Sequence, residues 1–167
     1  MKKVLMIIAP KDFRDEELFE TKEIIEKIAE VKIASTTIGT VKGMLGKSVN
    51  PDIPLARVNV DDYDAIIFVG GVGASVYFKS ATALNIAKNA YEKGKIIGAI
   101  CIAPSILANA GILKGKKVTS WPSEASNLRS NGAFYTGSPV EIDKNIITAN
   151  GPQSAKKFGE AILEALK

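Results

Sequence analysis

The segment Lys95-Ile-Ile-Gly-Ala-Ile-Cys101-Ile-Ala-Pro104-Ser-Ile-Leu carries the strongest fold signal in this chain. A β-branched apolar run ends at Cys101, and a helix-compatible stretch with Pro104 near its first turn follows. A thiol at this junction would meet the unpaired N–H groups at the start of the helix, which favour the thiolate. The segment therefore predicts a buried strand that passes into a helix, with the only cysteine of the chain between them.

Short apolar strands and helices alternate along the whole chain. Strands are predicted at Val4–Ala9, Val31–Ser35, Asp64–Val69, Ile96–Ile100, Lys117–Ser120 and Asn145–Ala149. Helices are predicted at Asp15–Glu30, Ala81–Lys93, Ala103–Ala110, Ser123–Ser130 and Ser154–Leu166. A β-hairpin is expected in the glycine- and proline-rich stretch 36–60. This alternation is typical of a doubly wound α/β fold, in which helices cover both faces of a mostly parallel, flavodoxin-like sheet. Because no linker or repeat interrupts it, we expect residues 1–167 to form a single domain.

Composition excludes several classes of protein. The 167 residues are 46% hydrophobic and 24% charged, as in an ordinary globular domain. No apolar run reaches the roughly 18 residues of a transmembrane helix, and the apolar part of Met1–Ala9 is too short for a signal peptide. The formal charge of +4 comes from lysines scattered among glutamates. We therefore expect neither a membrane nor a nucleic acid as a partner.

The counts of cysteine and histidine limit the chemistry further. One cysteine excludes an internal disulfide and suits a reducing cytoplasm, where we expect the protein to act. With no histidine, the chain can form neither a Cys–His nor a Ser–His pair, and a zinc or copper site is not expected. Cys101 must therefore act with a carboxylate, backbone amides and water, and we expect no metal or other cofactor.

Doubly wound folds place functional sites at the carboxyl ends of their strands. Four such ends carry candidate residues: Pro10–Arg14, Gly70–Gly73, Cys101 and Trp121–Pro122. The glycines could bind phosphate, let a backbone N–H approach a reacting centre, or only form a tight turn, since no full G-x-G-x-x-G motif is present. Cys101 could likewise be a small buried side chain without reactivity.

Helical periodicity singles out one carboxylate in the first predicted helix. At about 100° per residue, Glu17 falls in the middle of the apolar face that includes Thr21 and Ile25. A carboxylate there needs a partner or a proton, because burying an unpaired charge is costly. The alternative is that Glu17 only stabilises the start of the helix.

Four motifs occur together at informative intervals: Phe13-Arg-Asp-Glu-Glu17-Leu, Ile67-Phe-Val-Gly-Gly71, Ile97-Gly-Ala-Ile-Cys101-Ile-Ala-Pro104 and Val118-Thr-Ser-Trp121-Pro122. With them the chain resembles the PfpI family of the DJ/PfpI superfamily, which shares the class I glutamine-amidotransferase-like fold. The resemblance implies a reactive Cys101 on a nucleophile elbow and Glu17 as its carboxylate partner. It also implies a homo-oligomer. The implied oxyanion pocket is formed by the amides of Gly71 and Ile102, next to Gly70, Trp121 and Pro122.

Two histidines found in relatives of this kind are missing. Protease-like members carry one directly after the cysteine, where this chain has Ile102, and the deglycase-like branch carries one where this chain has Trp121. The leading interpretation is a Cys101-dependent enzyme of the glyoxalase or deglycase type, which acts on small reactive dicarbonyls or their adducts with Glu17 as acid and base. The alternatives are a redox-responsive protective protein whose Cys101 is oxidised without turnover, and an intracellular cysteine peptidase or amidase. A bulky Trp121 favours a small substrate, or packs at a subunit contact.

Overall fold

A seven-stranded sheet forms the centre of the protein, described here by a computed structural model of residues 1–167. The strands are β1 (Lys2–Ile7), β2 (Ala29–Ser35), β3 (Val41–Lys42), β4 (Ser48–Val49), β5 (Ile53–Pro54), β6 (Ala65–Phe68), β7 (Ile96–Ile100), β8 (Lys117–Val118), β9 (Phe134–Tyr135), β10 (Val140–Asp143) and β11 (Ile146–Ala149). The central sheet has the order β10-β11-β7-β6-β1-β2-β5, and every neighbouring pair is parallel except β10 with β11. Strands β3 and β4 form a separate antiparallel hairpin, and β8 pairs with β9 in parallel. The predicted mostly parallel α/β fold is confirmed.

Helices cover both faces of this sheet. They are α1 (Asp15–Ile25), α2 (Ala81–Glu92), α3 (Pro104–Asn109), α4 (Ala125–Ser130) and α5 (Ala155–Leu166). On one face Phe158 of α5 shares a buried cluster with Met6 of β1, and on the other Leu107 of α3 shares one with Leu5. Successive strand residues point to opposite faces, so burial on both sides requires the uninterrupted apolar runs seen in the sequence. None of the helices is long and apolar enough to cross a lipid bilayer.

Helix α1 is shorter than its periodicity predicts. It ends at Ile25 rather than at Glu30, because residues 26–28 form a tight turn in which Ile28 N donates to Ile25 O (3.1 Å). Ala29 already belongs to β2, where it pairs with Lys2 of β1. Ala29 and Glu30, the last residues of the predicted helix, therefore pair with β1 in the parallel sheet instead.

The two edge strands of the central sheet are not predicted from the sequence. Strand β5 is two residues long and includes Pro54, which an edge strand tolerates because no ladder hydrogen bond is lost. Strand β10 joins β11 through Lys144 and Asn145, without the glycine that usually marks a two-residue hairpin turn. The hairpin expected within residues 36–60 is present as β3 and β4.

Candidate active site

Cys101 lies at the junction between β7 and α3, at the carboxyl edge of the sheet. Its φ of 65° is in the left-handed region, which residues with side chains rarely adopt. Neighbouring backbone groups hold this turn, because Cys101 N donates to Ala149 O (3.0 Å) and Trp121 N donates to Cys101 O (2.7 Å). The residue is 9% exposed, so the thiol has a fixed position and limited access to solvent.

The thiol contacts a cavity of about 180 Å³. The cavity is lined by Arg14, Met44, Gly71, Val72, Cys101, Ile102, Trp121 and Pro152. Its wall is mainly apolar, and Arg14 is the only charged side chain in the lining. Trp121 is 42% exposed and borders the solvent. No three His, Cys, Asp or Glu side chains come together as a metal site would require. The cavity can therefore hold a small reagent against the sulfur.

Glu17 is completely buried, on the face of α1 that also buries Leu18, Thr21 and Ile25. Its Oε1 accepts a hydrogen bond from Gly70 N (2.9 Å). The other oxygen, Oε2, forms no hydrogen bond of standard geometry, although the neighbouring thiol influences the pKa of this carboxyl. A buried carboxyl that lacks a cationic partner favours its protonated form.

Burial dominates the protonation of Glu17 and Cys101. Desolvation raises the pKa of Glu17 to about 8, against the opposing effects of the Gly70 amide and the Cys101 thiol. Desolvation, followed by the negative charge of Glu17, raises the pKa of Cys101 to about 12. The two groups titrate as one coupled unit. At neutral pH this unit keeps both of its protons, one on the carboxyl and one on the thiol.

The raised pKa of Cys101 corrects the expectation of a thiolate at neutral pH. The N–H groups of Gly71 and Ile102 do lower the pKa of the thiol, as hydrogen bonds to a negative sulfur must. Their effect is smaller than that of desolvation, because the sulfur lies among apolar side chains and the helix behind it has only six residues. Reaction at Cys101 therefore requires that the pair first lose a proton.

Gly70 and Gly71 let the end of β6 approach both reactive groups. A Cβ atom on Gly70 would lie 2.5 Å from Cys101 Cβ and 2.6 Å from Glu17 Oε1. Gly71 has a φ of 101°, and a Cβ atom there would lie 2.4 Å from Arg14 N. A side chain at Gly70 would force Glu17 or Cys101 to move, and one at Gly71 would force the backbone of residues 12–14 to move.

The structure brings most, but not all, of the expected pocket residues to the cavity. Gly71, Ile102 and Trp121 line it together with Cys101. Gly70 does not, and the position that its Cβ would take is filled by Glu17 Oε1 and Cys101 Cβ. Pro122 is also outside the lining, since it begins the exposed 3₁₀ turn Pro122–Glu124.

Sequence reasoning missed part of the cavity wall. Met44 and Pro152 lie outside the candidate strand ends, whereas Arg14 and Val72 belong to the candidate stretches Pro10–Arg14 and Gly70–Gly73 but are not predicted as individual pocket residues. Met44 comes from the tip of the β3–β4 hairpin, which is attached to the first turn of α1. Asp15 Oδ1 accepts a hydrogen bond from Leu45 N (2.8 Å), and Asp15 Oδ2 accepts one from Lys47 N (2.9 Å). No local pattern indicates these contacts, because they join residues at least 30 positions apart.

Comparison with known proteins finds one family over nearly the whole chain. The sequence model of the DJ-1/PfpI family matches residues 2–165. An uncharacterized protein of Methanocaldococcus jannaschii is 46% identical over 169 residues, which cover 99% of this chain and 82% of that protein. A deglycase of Pyrococcus horikoshii is 31% identical over 166 residues, 99% of either chain. A glutathione-independent glyoxalase of Caenorhabditis elegans is 29% identical over 167 residues, 99% of this chain and 89% of the other.

Solved structures agree with the sequence comparison. A ThiJ/PfpI domain protein from Brachyspira murdochii superposes with a TM-score of 0.96 at 35% identity, over 98% of this chain and 95% of that one. The DJ-1beta protein of Drosophila melanogaster superposes with a TM-score of 0.90 at 31% identity, over 99% and 90% of the two chains. Both of these proteins therefore share the arrangement of sheet and helices described above.

Proposed function

The chain belongs to the DJ-1/PfpI family, and we propose that it is a cysteine-dependent enzyme of the glyoxalase or deglycase type. In this proposal Cys101 attacks small reactive dicarbonyls or their adducts, and Glu17 transfers the protons. One observation carries it: a completely buried carboxyl, protonated at neutral pH, is coupled to the only thiol of the chain. Relatives named as a deglycase and as a glyoxalase support the same class of substrate.

Proton transfer through Glu17 gives a balanced reaction with methylglyoxal. The pair has first lost one proton, mostly from Glu17, and attack proceeds through the tautomer in which the remaining proton lies on Glu17 and the sulfur carries the negative charge. The sulfur adds to the aldehyde carbon, and Glu17 protonates the new oxygen to give a hemithioacetal. The carboxylate then removes the proton from that carbon and returns it to the neighbouring carbon, while the hydroxyl proton passes from the first oxygen to the second, which yields a lactoyl thioester. The hydroxide part of a water then adds to the thioester carbon and the other proton of that water passes to Glu17. The thiolate leaves, and the lactic acid formed releases its carboxyl proton to solvent as lactate.

The amides of Gly71 and Ile102 would hold the oxygen that becomes negative during the attack. Both N–H groups lower the pKa of Cys101, so both favour negative charge beside the sulfur. Donors that are already in place stabilise such an oxygen without rearrangement. The cavity of about 180 Å³ equals the liquid volume of roughly six waters. That volume suits a dicarbonyl of a few carbons better than a peptide.

The proposal is tested by measuring lactate formation from methylglyoxal with the wild type, Cys101→Ser and Glu17→Gln. Cys101→Ser removes the nucleophile and should abolish turnover. Glu17→Gln keeps the shape but cannot exchange protons, and should lower kcat about 100- to 10,000-fold. Glu23→Gln makes the same change at an exposed position of α1 and should leave the rate unaltered. Turnover of methylglyoxal by Glu17→Gln at the wild-type rate contradicts the proposed mechanism.

A redox-responsive role is the second candidate, supported by the same two amides. They would also stabilise the oxygens of a sulfinate formed at Cys101. Mild peroxide followed by mass spectrometry tests it. The redox role predicts sulfinate in both the wild type and Glu17→Gln, without any need for turnover. Absence of sulfinate from both proteins rules this candidate out.

Peptide hydrolysis is not expected from this site. Without a histidine, the only groups that can move protons near the sulfur are Glu17 and water, and loss of one member of a nucleophile–base unit costs several orders of magnitude where it has been measured. A fluorogenic peptide assay of the wild type against Cys101→Ala measures this directly. Robust cleavage that depends on Cys101 is the result that this reasoning excludes.

A further inference from the structure

Arg14 occupies an unusual place in the cavity that Cys101 contacts. It immediately precedes α1, and its backbone N donates to Gly70 O (2.9 Å), which holds the residue against the end of β6. One edge of its guanidinium is bound by Glu16, since Nε donates to Glu16 Oε1 (2.9 Å) and Nη2 donates to Glu16 Oε2 (3.1 Å). Two parallel hydrogen bonds of this kind fix the orientation of an arginine. The side chain is 28% exposed.

Arg14 is the only cation of the cavity wall, and the chemistry of the site needs one. Attack by Cys101 requires a negative sulfur, which both burial and the charge of Glu17 oppose. Glu17 is the ionisable side chain that raises the pKa of the thiol, negative charge on Cys101 raises the pKa of Arg14, and no other side chain of the cavity lining carries a charge at neutral pH. A sphere of 180 Å³ is about 7 Å across, so a charge on its wall acts on the sulfur over less than one Debye length.

We propose that Arg14 is a positioning residue that stabilises the Cys101 thiolate across the cavity, attracts anionic reagents to the sulfur, and is held back by its ion pair with Glu16. The negative charge of Glu16 partly cancels the positive charge of Arg14 and so limits how far Arg14 stabilises the thiolate. Arg14 lines the cavity and Glu16 does not, so the positive end of the pair faces the cavity that the sulfur contacts. A neutral residue at position 16 would leave more of the positive charge acting on the sulfur.

The interaction is mutual. The hydrogen bond with Glu16 is the largest influence that raises the pKa of Arg14, and negative charge on Glu17 and Cys101 raises it further. Arg14 in turn lowers the pKa of Glu17. The arginine therefore favours the form of the pair that has lost one proton, whichever of the two groups carries the charge.

Alkylation rates test this inference without any need for turnover. Cys101 is the only thiol, so its loss on treatment with iodoacetamide or with iodoacetate can be followed directly at pH 7 and low ionic strength. With an effective dielectric constant between those of protein and water, one charge at about 7 Å shifts the thiol pKa by about 0.5 to 1.5 units. Arg14→Gln should therefore slow alkylation by the neutral iodoacetamide about 3- to 30-fold.

The anionic reagent separates an electrostatic role from a structural one. Arg14→Gln should also lower the ratio of the iodoacetate rate to the iodoacetamide rate by about threefold, and Arg14→Lys should retain most of that ratio. Glu16→Gln should raise both rates, and high salt should reduce the difference between the wild type and Arg14→Gln. Arg57→Gln makes the same change at an exposed arginine elsewhere and should alter neither rate.

Two results would overturn the inference. In one, Arg14→Gln reacts with both reagents at the wild-type rates. In the other, Arg14→Lys is slowed as much as Arg14→Gln with an unchanged ratio of rates, which would assign Arg14 a purely structural role. Either result leaves the proposed dicarbonyl chemistry standing, since that is judged by lactate formation in the Cys101 and Glu17 variants.

Discussion

Replacing the buried carboxyl with an amide should make the protein more stable, and increasingly so as the pH rises. Folding raises the pKa of Glu17 from 4.5 to about 8, because the ionised form is desolvated in the native state. The unfolded chain therefore loses this proton near pH 4.5, whereas the native protein keeps it until about pH 8. The free energy of unfolding therefore carries no penalty from Glu17 below pH 4.5, and it falls progressively between pH 4.5 and about pH 8.

The size of this effect follows from the two pKa values. One pKa unit corresponds to about 1.4 kcal/mol, so Glu17 costs the wild type about 3 kcal/mol between pH 5 and pH 8. Glu17→Gln has no proton to lose, and its Oε1 can still accept the hydrogen bond from Gly70 N. The free energy of unfolding of the variant should exceed that of the wild type by about 3 kcal/mol more at pH 8 than at pH 5.

Urea unfolding at pH 5, 6.5 and 8, under reducing conditions, measures the gap between the unfolding free energies of Glu17→Gln and the wild type. Because the variant and the wild type are compared at the same pH, the effects of all other titrating groups on stability cancel. Cys101 is predominantly protonated throughout this range. Glu23→Gln provides the control, because an exposed carboxyl on the same helix should leave the gap near zero at every pH. A gap between Glu17→Gln and the wild type that stays constant from pH 5 to pH 8 would refute the assignment of a protonated carboxyl.

Three further outcomes are expected. The rate of iodoacetamide alkylation of Cys101 should rise about tenfold per pH unit up to about pH 8 and then level off, as the coupled pair loses its first proton; a plateau already below pH 6 contradicts the coupling. Gly70→Ala should lower the free energy of unfolding, measured in urea, by about 2 kcal/mol or more, because its Cβ would overlap the Cys101 and Glu17 side chains. Gly94→Ala is the control: a Cβ there meets open space, and its φ of 70° should cost only about 1 kcal/mol. Asp15→Ala should speed hydrogen exchange at residues 45 and 47 and lower stability by about 2 kcal/mol, since both of its hydrogen bonds are lost; unchanged exchange there would show that other contacts hold the hairpin.

The fold, the burial of Glu17 and the position of Cys101 could be predicted from the sequence because their signals are local. Apolar runs specify strands that are buried on both faces, and periodicity alone places Glu17 on the inner face of α1. The strand-to-helix change around Cys101 is equally local. These features depend on residues a few positions apart, which a single sequence displays directly.

The protonation state and the rest of the cavity could not be predicted, because both depend on tertiary packing. The sequence indicates a helix start that favours the thiolate, but only the folded chain shows that desolvation outweighs it. Met44 reaches the cavity through contacts between the β3–β4 hairpin and Asp15. The end of α1 differs for a similar reason, since the pairing of Ala29 with β1 overrides local helix preference.

The left-handed backbone at Cys101 also bears on how this site is maintained over evolution. A residue with a side chain costs about 1–2 kcal/mol in that conformation, against a net stability of typically about 5–15 kcal/mol for a whole domain. Glycine at position 101 would relieve this cost but would remove the thiol. Under the proposed function, a lineage that no longer needed the thiol would have a one-step route to a more relaxed turn, and drift toward glycine at this position would indicate that the proposed chemistry has been lost.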